Sequence, residues 1–525
     1  MSSIVLSFPA EILEAIFAYL PLKDLLNASQ VCHRWNKVLQ SPLFQRQLQV
    51  KLHSEFRDLP SKADEAFLSR AKNLSIVQKF NEDEPEGENG QAGPAEAKEN
   101  ISGILFGACN ELECLQLISR FQCVKSVIGD RLDELSNLRE LSLSFAYQGE
   151  EKCDELQGEL WLMRSNSLQS FKIGLTNSLG PFGLEAPNLK EMHLTVNCKT
   201  LLDLVDKFSG QLRRLRLKLI VRKTLDEILK MKFSKLNQLE LAIFDHKDSW
   251  EFSHVTVREE DDELVKQFVQ EMSTLEELSV RSDEVFYRLC PALCSMQTNL
   301  RQLELHNLNV DSNILINILL IQNIKSLSVQ HCEIVNEIPG LHIRLVNLLH
   351  LNLTNVVNNV LMNHNFSGLK SLQLLHNRFG NESLQKVFQN FTSIEQLQIT
   401  FRAKLDADAF ARLHQLKNLT ALTLCRTDTT AEHWKRIQPV PSVRQLTFEG
   451  CFMMPLSIFP ELGRVFPALR RLHVTKCCVL DDTSSADAVV DGACERKLRE
   501  MFPGVAVSWH ETMQITPENL KKMLL

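Results

Sequence analysis

The feature that most constrains this 525-residue chain is a frame of three apolar anchors, L-x-x-L-x-L, with Ile, Val, Met or Phe admitted in place of Leu. It returns from Leu112 onward, first as Leu112, Leu115 and Leu117, then Leu138, Leu141 and Leu143, then Leu168, Phe171 and Ile173, then Leu189, Met192 and Leu194. Further units open at Leu212, Leu236, Leu275, Leu300, Ile324, Leu348, Leu369, Ile394, Leu419, Val443 and Leu469, and a degenerate one at Phe502. The sixteen openings average about 26 residues apart, a period that fits one strand and one returning helix per unit. A unit of that size cannot bury its apolar side alone, so the units must stack. The second and third anchors lie two residues apart, on one face of a strand, and parallel stacking pairs the backbone while the helices cover the outer side. The expected class is α/β: a curved array over 101–525, about 16 units and a C-terminal cap, parallel strands on the concave face and helices on the convex face.

Asn197, Cys332, Asn377, Cys451 and Cys477 all stand three residues past a third anchor, where a small or amide side chain can serve main-chain groups leaving the strand. Part of the complement of 14 cysteines is thereby accounted for without chemistry, and the rest are expected as thiols of a reducing compartment. The 39 residues from Leu236 to Leu275 exceed one turn and read as an insertion, with a charged centre near 245–265. A polar loop, DDTSSADAVVDG, precedes the last unit, and ITPENLKKMLL, with Thr516 as N-cap and Pro517 at the first helical position, is expected to close the array as a helix.

The first fifty residues follow a different pattern. Ile12, Leu13, Ile16, Phe17 and Leu20 recur at helical spacing and Pro21 ends the segment; a short helix follows over 23–28, then one carrying Val31, Cys32, Trp35, Val38 and Leu39. Three short helices cannot bury this much apolar surface among themselves, so an external partner is implied. The stretch FPAEILEAIFAYLPLKDLLNASQVCHRWNKVLQSPLFQRQL, residues 8–48, resembles an F-box, with Phe8 and Phe44 as large apolar replacements for more usual residues. With the repeats, the chain resembles the F-box and leucine-rich-repeat family, the substrate-recognition subunits of SCF-type cullin-RING ubiquitin ligases.

The resemblance implies a three-helix F-box over 1–50 whose face docks on a Skp-type adaptor bound to a cullin. Pro9, Ile12, Leu13, Ile16, Leu20, Pro21, Leu25, Val31, Cys32 and Trp35 would be the contact or core positions. It implies a leucine-rich-repeat solenoid that binds a protein substrate for ubiquitination and proteasomal degradation. Between the two, residues 51–100 are expected to hold a helix over 61–71, a first strand using Leu74, Ile76 and Val77, and a flexible acidic loop over 81–100.

On the concave side, one unit presents Arg214, Arg216 and Lys218, with Lys172 two strands to one side and Arg281 two strands to the other; such a stripe suits an acidic or phosphorylated segment of a substrate. Elsewhere that side reads as neutral: Ser326, Ser328, Gln330; His350, Asn352, Thr354; Ser371, Gln373; Gln396, Gln398, Thr400; Gln445, Thr447. A net charge of −7 argues against a general nucleic-acid binder, and no run of 18 apolar residues argues for a membrane span. Glycine-rich phosphate loops, H-E-x-x-H, G-x-S-x-G and paired CxxC spacings are missing, so neither catalysis, cofactor nor metal is expected; His473, Cys477 and Cys478 come closest to a metal set. The expected address is cytoplasm, nucleus or both. Two alternatives stay open: an interaction scaffold acting without a cullin, and a leucine-rich-repeat enzyme inhibitor, which leaves residues 8–48 unexplained.

Overall fold

A computed structural model describes residues 9–17, 31–39, 49–53, 72–77, 111–119, 121–145, 160–174, 182–196, 199–219, 223–243, 259–295, 299–311, 323–335, 347–356, 366–377, 381–401, 408–427, 429–451, 454–477, 479–480 and 493–510, with a few single positions between them. The chain divides into two compact units, Met1–Phe252 and Ser253–Leu525, and the division falls inside the long interval between Leu236 and Leu275.

The first unit opens with helices α1 (Ala10–Phe17) and α2 (His33–Leu39). Its strands are β1 (Gln49–His53), β2 (Asn73–Val77), β3 (Cys114–Ser119), β4 (Glu140–Phe145), β5 (Trp161–Arg164), β6 (Ser170–Ile173), β7 (Phe182–Glu185), β8 (Glu191–Val196), β9 (Arg214–Leu219) and β10 (Gln238–Ile243). All but β5 and β7 join one parallel ladder, each strand beside the next in chain order. The expected strand at Leu74 and Ile76 is β2, and β1, which the sequence pattern does not announce, extends the ladder before it. Helices α3 (Phe121–Ile128), α4 (Lys199–Phe208) and α5 (Lys223–Leu229) lie in the connections.

The second unit starts at α6 (Glu259–Glu271), within the expected insertion, where Val265, Phe268 and Val269 are buried. Its strands are β11 (Glu277–Arg281), β12 (Gln302–His306), β13 (Asn309–Asp311), β14 (Ser326–Gln330), β15 (Glu333–Val335), β16 (His350–Thr354), β17 (Ser371–Asn377), β18 (Gln396–Phe401), β19 (Ala421–Cys425), β20 (Gln445–Glu449), β21 (Met454–Pro455), β22 (Arg471–Thr475), β23 (Val479–Leu480) and β24 (Ala506–His510). Ten of them, from β11 to β24, form a second parallel ladder in chain order. The remaining strands pair in outer twos, β13 with β15 and β21 with β23, as β5 does with β7 in the first unit. Those connections therefore begin with, or contain, an extended segment, such as EIV and WLMR, rich in β-branched or aromatic residues. Helices α7 (Asp283–Ser295), α8 (Asn381–Asn390) and α9 (Ala431–Lys435) occupy other connections, while α10 (Ile458–Val465) follows β21 and α11 (Ala493–Met501) follows β23 within the same ones.

One carbonyl in each turn clamps the next turn in place. The N–H groups of Gln169 and Ser170 both donate to the Arg139 carbonyl, at 2.8 and 2.9 Å; those of Arg444 and Gln445 to Thr420, at 2.8 and 3.0 Å; those of Arg470 and Arg471 to Arg444, at 2.8 and 3.0 Å. The clamp fixes the register, and a strand's two-residue period then sends the anchors inward and their neighbours outward. All sixteen openings are accordingly buried, none more than 8 % exposed. Helix faces such as Leu201, Val205 and Phe208, or Leu384, Val387 and Phe388, close the other side of the core.

Where a strand ends, the chain turns through a left-handed residue: Asn307, His331, Asn355, His376, Arg426, Gly450 and Lys476 all have φ between 48° and 63°. This conformation is unfavourable for a side chain by roughly 1–2 kcal/mol, and the geometry offsets it. The His331 N–H thereby reaches the Thr354 carbonyl at 2.7 Å, and that of Arg426 reaches Glu449 at 2.8 Å. After four of them the next residue is small and buried, Cys332, Thr427, Cys451 and Cys477: the Cys332 thiol donates to the Gln330 carbonyl at 3.2 Å, Cys477 to Thr475 at 3.2 Å, and the Thr427 hydroxyl to Cys425 at 2.9 Å. Asn197 lies outside the described residues, as do the helices expected over 61–71 and at the C-terminus, the acidic loop 81–100 and the loop 481–492.

Leu446→Ala empties a fully buried anchor on β20 and is expected to cost about 2–5 kcal/mol. Thr447→Ala, on the outward side of the same strand, is expected to stay within about 0.5 kcal/mol. Urea unfolding of the two variants checks the inward and outward assignment.

Candidate functional site

Two surfaces carry the residues that the sequence singles out. The first is built by α1 and α2. Helix α1 starts from the Pro9 carbonyl, which accepts the Leu13 N–H at 3.2 Å, and it divides its apolar residues between two faces. Leu13 and Phe17 are each 1 % exposed and belong to the interior, where the Phe17 ring meets Trp35 edge-on at 5.2 Å, and Ala28, Val38 and Leu39 are buried as well. Ser41, just past α2, donates its hydroxyl to Glu14 at 2.9 Å and ties the two helices together. On the other face Ile12 is 46 %, Ile16 42 % and Val31 60 % exposed.

Those three are exposed large apolar side chains within twenty residues of one another, whereas only Leu160 and Met501 share that state among the described residues. Solvent-facing isoleucines four residues apart, on a helix whose opposite face is already packed, mark a surface shaped for a partner. Of the ten predicted docking residues, Pro9, Ile12, Ile16 and Val31 are exposed, and Ile12 and Ile16 share one face of α1. Cys32 and Trp35 are half-buried, and Leu13 is a core residue rather than a contact because it sits about 100° around the helix from Ile12. Leu20, Pro21, Leu25 and most of the second expected helix lie outside the described residues.

Residues 5–49 match the family model for the F-box-like domain. The chain carries an F-box-like domain at its N-terminus. The F-box-like domain stops where β1 begins, so the parallel ladder follows it without an intervening domain. Such domains generally bind Skp-type adaptors, and the apolar face described above lies wholly within the match.

The second surface is the outward side of the ladders. Lys172, His193, Arg216 and Glu240 stand level on β6, β8, β9 and β10, so Lys172 is two strands from Arg216 as expected. The stripe is not purely basic. Lys172 pairs with Glu140 at 3.5 Å, Arg214 with Glu191 at 2.9 Å, and Arg216 with Glu240. Lys218 stands level with Thr195. Arg281 ends β11 in the second unit, where, after the hydrogen bond from His306, it is among the groups that hold the Glu304 carboxyl below the usual range. The sequence reading missed Glu140, Glu191, Glu240 and His193, although aligning the frames places each beside its cation. Exposed pairs of this kind contribute roughly 0–1 kcal/mol, so the cations remain available to a competing anion, but on a surface of nearly balanced charge.

The outward side of β14 to β20 is mainly neutral, with the exposed Glu449 at the end of β20 the exception, and Ser328 accepts hydrogen bonds from Gln330 and Asn352 at 2.9 and 3.2 Å. Thr400 departs from that reading and is 2 % exposed. Leu374 pairs with Ile399 but Asn377 with Phe401, so Leu375 and His376 share the level of Thr400, and the additional residue bends β17 locally.

Among the described residues, no three His, Cys, Asp or Glu side chains gather as metal ligands. His473 bonds Ser508, and Cys477 bonds the Thr475 carbonyl. Burial pushes the Cys109 and Cys114 thiols up to about 11, so both stay protonated and unreactive at neutral pH.

Burial, then Arg216, Lys172 and Arg214, lowers the His193 imidazole from 6.5 to about 4. The unfolded chain takes up this proton near pH 6.5 and the folded one resists it until about 4. The stabilisation is therefore complete above 6.5 and declines as the pH falls towards 4. An NMR titration is expected to show the midpoint near 4 and His193→Gln to flatten that part of the stability profile; a midpoint near 6.5 contradicts the burial of this ring among three cations.

Proposed function

We propose that this chain is the substrate-recognition adaptor of an SCF-type ubiquitin ligase: the F-box-like domain docks on a Skp-type adaptor and through it on a cullin, and the ladders are a leucine-rich-repeat solenoid that holds a protein substrate. The observation that carries the proposal is the pair Ile12 and Ile16, exposed on a helix whose inner face, Leu13 and Phe17, is already packed. Removing them from water against an adaptor supplies the burial that the two described helices do not provide. The recurring frame supports the solenoid, because every opening anchor is buried while outward residues such as Arg214, Arg216 and Lys218 on β9 are exposed. On this reading the chain is a non-catalytic subunit. It brings a substrate near a conjugating enzyme and contributes proximity and orientation rather than bond-making groups, in the cytoplasm, the nucleus or both.

Ile12→Glu with Ile16→Glu is expected to weaken binding of a purified Skp-type adaptor by about a hundredfold or more, because two apolar anchors of an interface are replaced by charges. The thermal melt should be unchanged, since both positions face solvent in the free chain. Leu13→Ala should lower the melting temperature instead. Unchanged adaptor binding by the folded double variant would falsify the docking assignment.

A further inference from the structure

The residues just before β4, β6 and β8 form a row along one edge of the first unit's ladder: Arg139, Gln169 and Lys190, each clamped to its neighbour through the carbonyl bonds described above. With the turns that lead into them they line a groove of about 390 Å³. Three asparagines, Asn166 and Asn188 among them, and two serines complete the lining, and none of its residues is acidic.

Acidic residues do stand next to this row, but each is engaged elsewhere. Glu113, the preceding member of the row, pairs with Lys72; Glu140 pairs with Lys172 at 3.5 Å and Glu191 with Arg214 at 2.9 Å. Neither Arg139 nor Lys190 forms an ion pair among the described residues, and Lys190 has only a long 3.5 Å contact with the Gln169 amide oxygen. Two cations thus flank an amide in a groove, and their backbones lie two strand spacings apart, about 10 Å. Lys190 already leans towards Gln169, and Arg139, which lines the same groove, is long enough to span the remaining half.

We propose that this edge groove binds a phosphate monoester. A dianion with three outward oxygens uses what the groove offers: the planar fork of Arg139 on two oxygens, the Lys190 ammonium on the third, and amide donors from Gln169 and Asn166 around them. A carboxylate would engage one fork and leave the second cation unused. No aromatic ring, the usual stacking platform for a nucleobase, lines the groove. The phosphate can come from a phosphorylated serine or threonine of a partner or from a small soluble metabolite. The site lies off the outward face of the strands and stands whether or not the F-box-like domain docks on an adaptor.

Calorimetric titration of the full chain with a phosphoserine peptide, the same peptide carrying serine or glutamate, and inorganic phosphate tests this. The phosphopeptide is expected to bind at least about tenfold tighter than either unphosphorylated peptide. Arg139→Gln with Lys190→Gln should abolish that margin, Lys190→Arg should retain it, and Arg444→Gln with Arg470→Gln, which removes the same charge from the second unit, should leave it unchanged. A phosphopeptide tighter than inorganic phosphate identifies a protein source, and equal affinities identify a small phosphate; both keep the site. The proposal is overturned if neither phosphate binds, if the glutamate peptide binds equally, or if the Arg444 and Arg470 control weakens binding as much, with melting curves confirming that all variants fold.

Discussion

The carbonyl shared by two successive N–H groups of the following turn holds everything else in place. From Lys72, whose carbonyl accepts from Glu113 and Cys114 at 2.8 Å each, to Arg444 in the second unit, the same bond pair recurs at the entrance of the ladder strands. Because it fixes where each strand begins, a shift by one residue would turn every anchor outward and every polar neighbour into the core. The burial of anchors, the outward rows of charge and amide, the left-handed turns and the small buried position after them all follow from this one register.

The F-box-like domain obeys the opposite logic. Its two described helices have no ladder to join, and they satisfy only half of their apolar residues against each other through Leu13, Phe17, Trp35, Val38 and Leu39. What is left over, Ile12, Ile16 and Val31, stays in water. In the ladders each unit's apolar face is buried by the next unit of the same chain, whereas here three large apolar side chains stay exposed. A chain with one self-sufficient part and one incomplete part is suited to joining two partners.

The anchors are legible because the frame repeats: Phe171 and Ile173 are recognisable from sequence alone once they are aligned to the places of Leu141 and Leu143, and all four prove buried. Strand β1, QVKLH, escapes because two apolar residues in five carry little signal and its partner β2 lies twenty residues on. Leu13 and Ile12 share one amphipathic stretch, and only packing against α2 decides which of them turns inward. The carboxylates beside the basic row are equally visible as residues, yet pairing Glu191 with Arg214 or Glu240 with Arg216 requires knowing which strands adjoin. Thr400 departs from its expected place for a local reason, an additional residue in a neighbouring strand that no regular frame anticipates.

The central claim is that the F-box-like domain and the ladders engage different partners, and affinity purification of the full chain beside one lacking residues 1–50, followed by mass spectrometry, tests it most directly. The account predicts a Skp-type adaptor and a cullin with the full chain alone, and a second set of proteins retained by both. Absence of a cullin from the full chain's partners, or loss of all partners together when residues 1–50 are removed, would contradict it.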